Sequence, residues 1–543
     1  MSIPSTLASG AWLAASLPSW LRFRRGLHDP RSAQEHILRS LLTRNADCEY
    51  GREYEFGGIR NYAAFREKVP LVNHDDLAPM MDRIAHGEVN VLTAEPVTNL
   101  IPTSGSSGGR KLIPFTAGLQ REFNAAIGPW MVDMFGQQPA MAMGSAYWSI
   151  SPALPHRDDE DCAIPVGFED DSSYLGGMRR RLVEATFAAP SLLRQAPDIE
   201  TSRYLTLLCL LRRRDLALIS VWHPSFLSLL LDALPMWWGE LLEDVKTGGC
   251  RRTDGLKGEL ARAMTTRAQP NRANDLARLA PNQAEKIWPR LKMISCWGDG
   301  QASLALSDLQ RRFPETQIQP KGLLATEAFI SIPFGGFHPV AVRSHFYEFR
   351  DSDGSIHPVH ELTTGKIYSV VATTGGGLWR YALGDLVEVD GFVDRTPSLR
   401  FLGREGKVSD LGGEKLSETF VTKSISRAFV ATGHSPGFAM LAAEREEQGP
   451  WRYVLFVEGE VSVQVAEILD RELRENPHYA ICRNLGQLGP ARCFKVSTGA
   501  YELYVKTRME RGQLLGEIKP QALSLEPGWA GIFPGHYVTN PDG

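Results

Sequence analysis

The amino-acid sequence predicts an α/β protein with a large N-terminal domain and a smaller α+β C-terminal lobe. Apolar runs at 216–222 and 291–297 each precede a polar or glycine-containing break and a helical pattern. This alternation is typical of βαβ units and of a mostly parallel sheet. Between residues 334 and 391 the pattern becomes strand-rich, which predicts an antiparallel or barrel-like subdomain. Strand-like runs at 438–443 and 452–458 predict the sheet of the C-terminal lobe.

Apolar residues at helical spacing predict helices on both sides of these strands. The stretch from Ala11 to Trp20 is interpreted as a surface or core helix and not as a signal peptide, because no Lys or Arg precedes it. Further helices are predicted at 36–43, 61–68, 461–476 and 520–525.

A domain boundary is predicted at Gly403-Arg404-Glu405-Gly406, before the polar, glycine-containing stretch SDLGGEKLSE. It divides the chain into an N-terminal domain at 1–402 and a C-terminal lobe at 403–543. A glycine at the boundary provides a hinge on which the smaller lobe would rotate.

Composition excludes several classes of protein. Lys and Arg total 59 and Asp and Glu total 63, so the formal net charge is −4. Without a strong basic field, nucleic acid is not an expected partner. The seven cysteines are scattered and form no C-x-x-C pair, which predicts neither disulfides nor zinc and fits a reducing cytoplasm. No stretch reaches the roughly 20 apolar residues that span a bilayer.

The strongest local signal is a segment rich in glycine and hydroxyl groups, Thr103 to Lys111 (TSGSSGGRK). Glycine lets backbone N–H groups approach an anion, hydroxyls add donors, and Lys111 supplies a charge for a phosphate oxygen. The spacing differs from that of P-loop nucleotidases. The segment therefore predicts a phosphate-binding loop, and the alternative is a flexible linker.

Four charged side chains elsewhere are candidates on chemical grounds. Glu327 follows the apolar GLLA run and Thr326. One carboxylate together with phosphate oxygens is a usual Mg²⁺ site, although a helix N-terminus would also suit Glu327. Asp385, between a glycine and the run LVEV, is either a turn former or an acceptor for ribose hydroxyls. Taken alone, Arg404 and Lys519 are compatible with ordinary surface positions.

Histidine gives no decisive signal. The sequence contains no G-x-S-x-G or H-E-x-x-H motif. His223 and His338 each precede a proline, and either is a candidate base. Aromatic character suggests that Tyr147-Trp148 and Trp222-His223 contribute to an acid pocket.

The order of these elements resembles that of the adenylate-forming superfamily, which contains acyl-CoA ligases, luciferases and peptide-synthetase adenylation domains. Thr103–Lys111 resembles its phosphate loop, Ala325–Glu327 its x-T-E motif, and Arg380–Asp385 its R-x-x-G-D motif lengthened by one residue. Gly403-Arg404 is similar to its hinge, and Lys519 lies where the superfamily keeps a C-terminal catalytic lysine.

Longer signatures point to one branch of that superfamily. They resemble the plant auxin-responsive acyl-acid amido synthetases of the Gretchen Hagen family and their bacterial relatives, over essentially the whole chain. The resemblance implies ATP-dependent adenylation of a carboxylic acid, then transfer of the acyl group to the amine of an amino acid. The signatures are VWHPSFL at 221–227, CWGDG at 296–300, FYEF at 346–349, GLWRY at 377–381 and GEKL at 413–416.

The resemblance also implies roles for the matching residues. Lys519, Lys111 and Arg110 would be catalytic, because they gather the negative charge of the phosphates, and Glu327 would hold Mg²⁺. Within the ATP site, Asp385 would accept the ribose hydroxyls. The implied cofactor-binding residues are Ser104, Gly105, Ser106, Ser107 and Gly109 at the phosphates, Gly298, Asp299 and Gly300 at adenine, and Thr326, Asp385 and Arg404.

Three positions depart from the plant pattern. The phosphate loop lacks a Glu before Arg110, Leu323 stands where a Tyr often stacks on adenine, and Ile518 replaces an aromatic residue before the lysine.

Two other functions stay open at the level of sequence. One is an acyl-CoA ligase, in which a thiol replaces the amine after the same adenylation step. The other is a catalytically silent ligand-binding relative, which the joint retention of Lys111, Glu327, Asp385 and Lys519 argues against. Neither the acid nor the amine can be identified from the sequence.

Overall fold

The computed structural model describes residues 3–104, 110–149, 162–167, 182, 184–253, 255–256, 258–299, 302–406, 408–445, 449–497, 499–511, 513 and 518–539. Its α-helices over these residues, α1 to α17 in chain order, are Ile3–His28, Pro30–Arg44, Glu49–Glu53, Tyr62–Lys68, His74–Ala85, Ala117–Gln137, Ile199–Leu211, Pro224–Asp232, Leu234–Thr247, Gly258–Met264, Pro270–Ala277, Ala284–Ile287, Ser303–Arg312, Glu418–Thr432, Val463–Leu473, Pro477–Asn484 and Ala500–Glu510. The strands, β1 to β18, are Val97–Ser104, Arg110–Thr116, Ser145–Trp148, Leu216–Ser220, Met293–Trp297, Gln317–Lys321, Phe346–Arg350, Ile356–Pro358, Ile367–Thr373, Tyr381–Val393, Thr396–Arg404, Val408–Ser409, Leu416–Ser417, Phe438–Arg445, Trp451–Glu458, Arg492–Val496, Leu523–Ser524 and Gly535–Tyr537.

The N-terminal part of the chain contains two larger sheets and a hairpin. Strands β3, β4, β5 and β6 pair in that order, and all are parallel. Strands β7 to β11 form an antiparallel sheet in the order β11-β10-β9-β7-β8. The parallel sheet and the strand-rich antiparallel subdomain predicted from the sequence are therefore confirmed.

The parallel sheet separates two apolar cores, because successive residues of its strands point to opposite faces. Leu218 and Met293 pack with the N-terminal helices and the antiparallel sheet. Ile219 and Ile294 pack with the helices between α7 and α13. Burial on both faces explains why these strands appear in the sequence as continuous apolar runs.

The C-terminal part is an α+β unit, as predicted. Its mixed sheet has the order β17-β14-β15-β16-β18, with parallel pairing of β15 with β16 and of β14 with β17. The helix predicted at 520–525 is wrong, because Leu523–Ser524 is a strand in which Leu523 pairs with Leu441. A six-residue helix closes few hydrogen bonds, whereas this segment buries Leu523 completely at a sheet edge.

The other predicted helices are present with small shifts at their ends. Residues 36–43 fall in α2, and α4 begins after Asn61, whose side chain accepts the Ala64 N–H at 2.9 Å. The Ala11–Trp20 stretch belongs to α1, which continues through Pro18. Among the described residues, no helix is both long and apolar enough to cross a membrane.

Candidate active site

A tight turn and a strand carry the first pair of candidate carboxylates. After β6, Leu324 and Phe329 form an antiparallel bridge closed by an Ala325 N–H to Ala328 carbonyl bond of 2.9 Å. Glu327 lies on this tight turn with only 5% of its surface exposed. Asp385 lies near the start of β10 and is 6% exposed.

Arg404 holds Asp385 from the neighbouring strand. The two residues are register partners of β10 and β11, and Arg404 Nε lies 3.1 Å from Asp385 Oδ1. Arg404 Nη2 also donates to the Leu383 carbonyl at 3.0 Å. At the adjacent Gly403, φ is +152° and a Cβ would lie 2.8 Å from Thr419 Oγ1, so a side chain is excluded there.

Burial and nearby cations have opposite effects on the pKa values of Glu327 and Asp385. Burial raises the pKa of Glu327, against the lowering effect of Arg404, and Asp385 raises it further. Burial likewise raises the pKa of Asp385, while Arg404 and then Lys519 lower it. The Arg404 pKa is raised, chiefly by Asp385. Two buried carboxylates are therefore balanced by cations that approach from two different parts of the chain.

Lys519 is the cation that comes from the C-terminal lobe. Its Nζ lies 4.6 Å from the centroid of the Trp297 ring, and its backbone carbonyl accepts the Tyr504 hydroxyl at 3.1 Å. Its charge acts on Glu327 and Asp385, so it belongs to the same cluster despite its distance along the chain. Glu327, Asp385, Arg404 and Lys519 thus form one site.

The predicted phosphate loop is carried by the β1–β2 hairpin. Thr103 pairs with Lys111 and Ser104 pairs with Arg110, so both ends of the loop are fixed by antiparallel hydrogen bonds. The residues Gly105, Ser106, Ser107 and Gly109, and the side chains of Ser104 and Arg110, lie outside the described part of the structure. The charge of Lys111 acts on His74, whose pKa is lowered first by burial and then by Lys111.

The predicted adenine turn follows β5. A Cβ at Gly298 would lie 2.6 Å from the Cβ of Pro320, so the close approach of two strands requires glycine. Asp299 Oδ2 accepts the Phe401 N–H at 3.2 Å, and burial raises the pKa of Asp299. Gly300 lies outside the described residues, whereas Thr326 is half-buried beside Glu327.

Arg380, at the start of the R-x-x-G-D-like element, stabilises the fold next to this site. Its Nε donates to Glu348 Oε2 at 2.8 Å and its Nη2 to Oε1 at 3.0 Å. Its Nη1 donates to the Val69 carbonyl at 2.8 Å, and Tyr62 donates to the same Glu348 at 2.9 Å. A buried bidentate pair with these partners joins the N-terminal helices to the antiparallel sheet.

His223, which the sequence named as a candidate base and as part of an acid pocket, lies near Lys519. His223 is 8% exposed, its ring stacks at 13° and 6.1 Å on Tyr501, and its ring lies 6.5 Å from that of Trp297. Burial, together with the Lys519 charge, lowers the His223 pKa to about 3. In the sequence, His223 is marked by its position between a buried strand and the proline that begins a helix. Its aromatic partners come from distant segments, so the sequence could not reveal them.

The carboxylates of this site suit a cation whose remaining ligands are phosphate oxygens and water. Within the described residues, no group of three or more His, Cys, Asp or Glu side chains is arranged to hold a metal ion. Magnesium is commonly held by one or two carboxylates plus phosphate oxygens and water. The buried Glu327 carboxylate, with its pKa raised by burial, matches that requirement.

The family assignment rests on matches along most of the chain. Residues 21–318, 338–404 and 422–527 match the N-terminal, central and C-terminal domains of the GH3 family. The chain belongs to the GH3 family. The Gretchen Hagen resemblance inferred from the sequence is thereby confirmed.

Relatives of similar length support that assignment. The chain is similar to the probable indole-3-acetic acid-amido synthetase GH3.12 of Oryza sativa subsp. japonica, at 25% identity over 94% of each chain. It is also similar to indole-3-acetic acid-amido synthetase GH3.3 of Arabidopsis thaliana, at 24% identity over 91% of this chain and 89% of the relative. Among solved structures, the AtGH3.15 acyl acid amido synthetase in complex with 2,4-DB matches with a TM-score of 0.82 and 20% identity, covering 97% of this chain and 98% of that one. This last likeness shows that the chain shares the fold of that synthetase.

Proposed function

We propose that this GH3 family protein is an ATP-dependent acyl-acid amido synthetase. It adenylates a carboxylic acid and then transfers the acyl group to the amine of an amino acid. The observation that carries the proposal is the cluster of Glu327, Asp385, Arg404 and Lys519, assembled from the middle and the C-terminal part of the chain in a protein of this family.

Adenylation requires negative charge to be gathered without repulsion. The acid oxygen attacks the α-phosphorus of ATP, the new P–O bond forms, and the bond to pyrophosphate breaks. Arg404 and Lys519 supply positive charge beside the two carboxylates. Lys111 and Arg110 would supply it at the β1–β2 hairpin. Preorganised charge of this kind is a large part of catalysis in phosphoryl and acyl transfer.

Each ligand-binding role is proposed from the matching motif, and for Asp385 the pairing with Arg404 supports it. Asp385, fixed by Arg404 on one oxygen, would accept ribose hydroxyls with the other. Adenine would lie against the backbone of Gly298–Gly300. The phosphates would be held by Ser104, Gly105, Ser106, Ser107 and Gly109, with Thr326 at the rim. Glu327 would hold Mg²⁺, which neutralises phosphate charge when bound.

The C-terminal lobe, 403–543, is proposed to move relative to 1–402 between the two half-reactions. Lys519 belongs to that lobe, and Gly403, its first residue, lies in β11 next to the end of that strand at Arg404. The protein is proposed to act in the cytoplasm, consistent with seven free cysteines. The partners are the acid and the amino acid.

A screen with purified protein tests this function. ATP, Mg²⁺ and a panel of acids that includes indole-3-acetic acid and 2,4-DB should support exchange of labelled pyrophosphate into ATP for at least one acid. That acid should then give an amide with an amino acid, detected by mass. A thioester with CoA and no amide would reassign the protein to the acyl-CoA ligases. Normal ATP binding without exchange for any acid would contradict adenylation.

A further inference from the structure

The sequence suggested His223 as a candidate base or as part of an acid pocket, and its environment in the structure assigns it a more specific part in the reaction. His223 follows β4 and caps helix α8 at Pro224–Asp232. The Ser225 N–H donates to His223 Nδ1 at 3.2 Å, and Ser225 Oγ lies 2.6 Å from the same nitrogen. Because Nδ1 is an acceptor, the proton of the neutral ring is on Nε2.

The Nε2–H group has no hydrogen-bond partner among the described residues, although its side chain is more than nine-tenths buried. A buried donor without an acceptor costs free energy, and such groups in native proteins call for an explanation. A ligand oxygen would supply the missing acceptor. The ring cannot simply rotate to find another one, because Ser225 holds Nδ1 and Tyr501 stacks on its face.

The surroundings indicate which ligand oxygen this is. Trp297 contacts both residues: its ring lies 6.5 Å from the His223 ring and 4.6 Å from Lys519 Nζ. The Lys519 charge in turn acts on His223, Glu327 and Asp385. The unpartnered donor therefore lies near the cation that is proposed to act at the α-phosphate, where the carboxylate of the acid would also lie.

We propose that His223 Nε2–H donates a hydrogen bond to the non-attacking oxygen of the acid's carboxylate, which becomes the carbonyl oxygen of the acyl-adenylate. This inference rests on the proposed adenylation reaction. When the amine attacks, the C–N bond forms and that oxygen takes up negative charge. The C–O bond to AMP then breaks, AMP leaves with the electron pair, and the proton of the amine passes to solvent. His223 stabilises the charged oxygen throughout.

The same geometry excludes His223 as the base that deprotonates the amine. Its Nδ1 lone pair is used by Ser225, and Nε2 already carries the proton. A general base needs a pKa near the working pH, whereas burial and the Lys519 charge lower that of His223 to about 3. A permanently neutral donor is what a group that holds a developing negative charge requires.

A pair of inhibitors provides the test. The acid selected by the exchange screen is built into an acyl sulfamoyl adenosine and into the matching compound in which CH₂ replaces the carbonyl. His223→Phe keeps an aromatic ring without a donor, and it should weaken the carbonyl compound about 10- to 100-fold and the CH₂ compound less than about threefold. His223→Gln restores an N–H near the Nε2 position and should recover most of the loss. In exchange assays, His223→Phe should raise KM for the acid but not for ATP.

The comparison of two ligands on one variant removes the effect of any folding defect. Arg203→Ala serves as the control, because the Arg203 to Glu502 ion pair of 2.6 Å lies next to Tyr501 but is partly exposed. It should bind both compounds as the unaltered protein does. Equal weakening of both compounds by His223→Phe would overturn the proposal. So would normal adenylation with slow amide formation, which would make His223 a group of the second step only.

Discussion

Replacing Glu327 by glutamine is expected to make the protein more stable and less active. The carboxylate is 5% exposed, and burial raises its pKa, so its ionised form is held at a cost in the folded state. Glutamine keeps the size of the side chain and removes the charge. The variant should therefore unfold at a higher temperature, while the loss of the carboxylate should raise the Mg²⁺ concentration needed for adenylation.

The expected change in stability and the expected change in Mg²⁺ requirement follow from different interactions. Removal of a buried charge at an active site is expected to increase the free energy of unfolding by on the order of 1 kcal/mol, because Arg404 and Lys519 already offset part of the cost. For a domain larger than 250 residues this corresponds to about 1–3 °C in Tm. Loss of one charged ligand should cost about 1.5–3 kcal/mol, or roughly a ten- to hundredfold higher Mg²⁺ requirement.

The pH dependence of stability gives a second check. The folded-state pKa of Glu327 lies above its ordinary value of 4.5, so the folded protein binds the proton more tightly than the unfolded chain does. Stability contributed by this group therefore falls as pH rises from about 4.5 through the raised pKa. Glu327→Gln lacks that titration, and its Tm advantage should grow over the same range.

Asp385→Asn is the matched comparison, because Asp385 is also buried but pairs with Arg404 at 3.1 Å. Its neutralisation leaves the Arg404 guanidinium without its anionic partner, so this variant should not gain stability and should bind ATP more weakly. Thermal unfolding from pH 4 to 8 and Mg²⁺ titration of pyrophosphate exchange measure both effects. A lower Tm for Glu327→Gln, or an unchanged Mg²⁺ requirement, would refute the reasoning.

Three further changes test other parts of the site. Lys519→Ala should slow adenylation about 10²–10³-fold in single-turnover assays and spare amide formation from supplied acyl-adenylate, whereas equal loss in both would indicate damage to the lobe. Glu348→Gln leaves Arg380 buried and unpaired, and should cost about 3–5 kcal/mol of unfolding free energy in urea, against under about 1 kcal/mol for Glu388→Gln in the more exposed pair with Arg400. Gly298→Ala places a Cβ 2.6 Å from Pro320 and should destabilise by about 1–3 kcal/mol, which an unchanged Tm would contradict.

The sequence predicted those parts of the fold whose signal is local. The run at 216–222 contains β4, whose residues are all buried, so apolar character alone revealed it. The helix prediction at 520–525 was wrong because the strand there forms by pairing with Leu441, some eighty residues earlier. A local sequence pattern does not indicate a pairing between such distant residues. Ion pairs between residues far apart in the sequence were likewise not predicted. Arg380 immediately precedes β10 and pairs with Glu348 of β7, in a sheet whose strand order the sequence did not predict.

The candidate site likewise has features that the sequence predicted and features that only the structure reveals. The motifs containing Glu327, Asp385 and Lys519 could be found by their order along the chain, but not their mutual contact. The sequence named both His223 and His338 as candidate bases, and what distinguishes the two is spatial. His223 has an Nε2 without a partner, whereas His338 Nε2 lies 3.1 Å from the Pro320 carbonyl. A hydrogen-bond donor becomes informative only when its acceptors can be counted.

The charges of the assembled site provide a physical reason for the lobe to move between the two steps. An amino acid arrives as an ammonium, and Lys519 and Arg404 would repel it from the acyl-adenylate at short range. In the proposed movement, withdrawal of Lys519 after pyrophosphate leaves would remove one of these two charges, while Arg404 would remain paired with Asp385. The polar contacts between residues 1–402 and the C-terminal lobe are weak enough to break in such a motion. The Arg203 to Glu502 ion pair is partly exposed, so it is worth less than about 1 kcal/mol, and the Ser307 to Ser435 hydroxyl contact of 2.7 Å is readily replaced by water. In the proposed movement the stacking of Tyr501 on His223 would be lost before the amine attacks, while the Ser225 N–H would still hold His223 Nδ1.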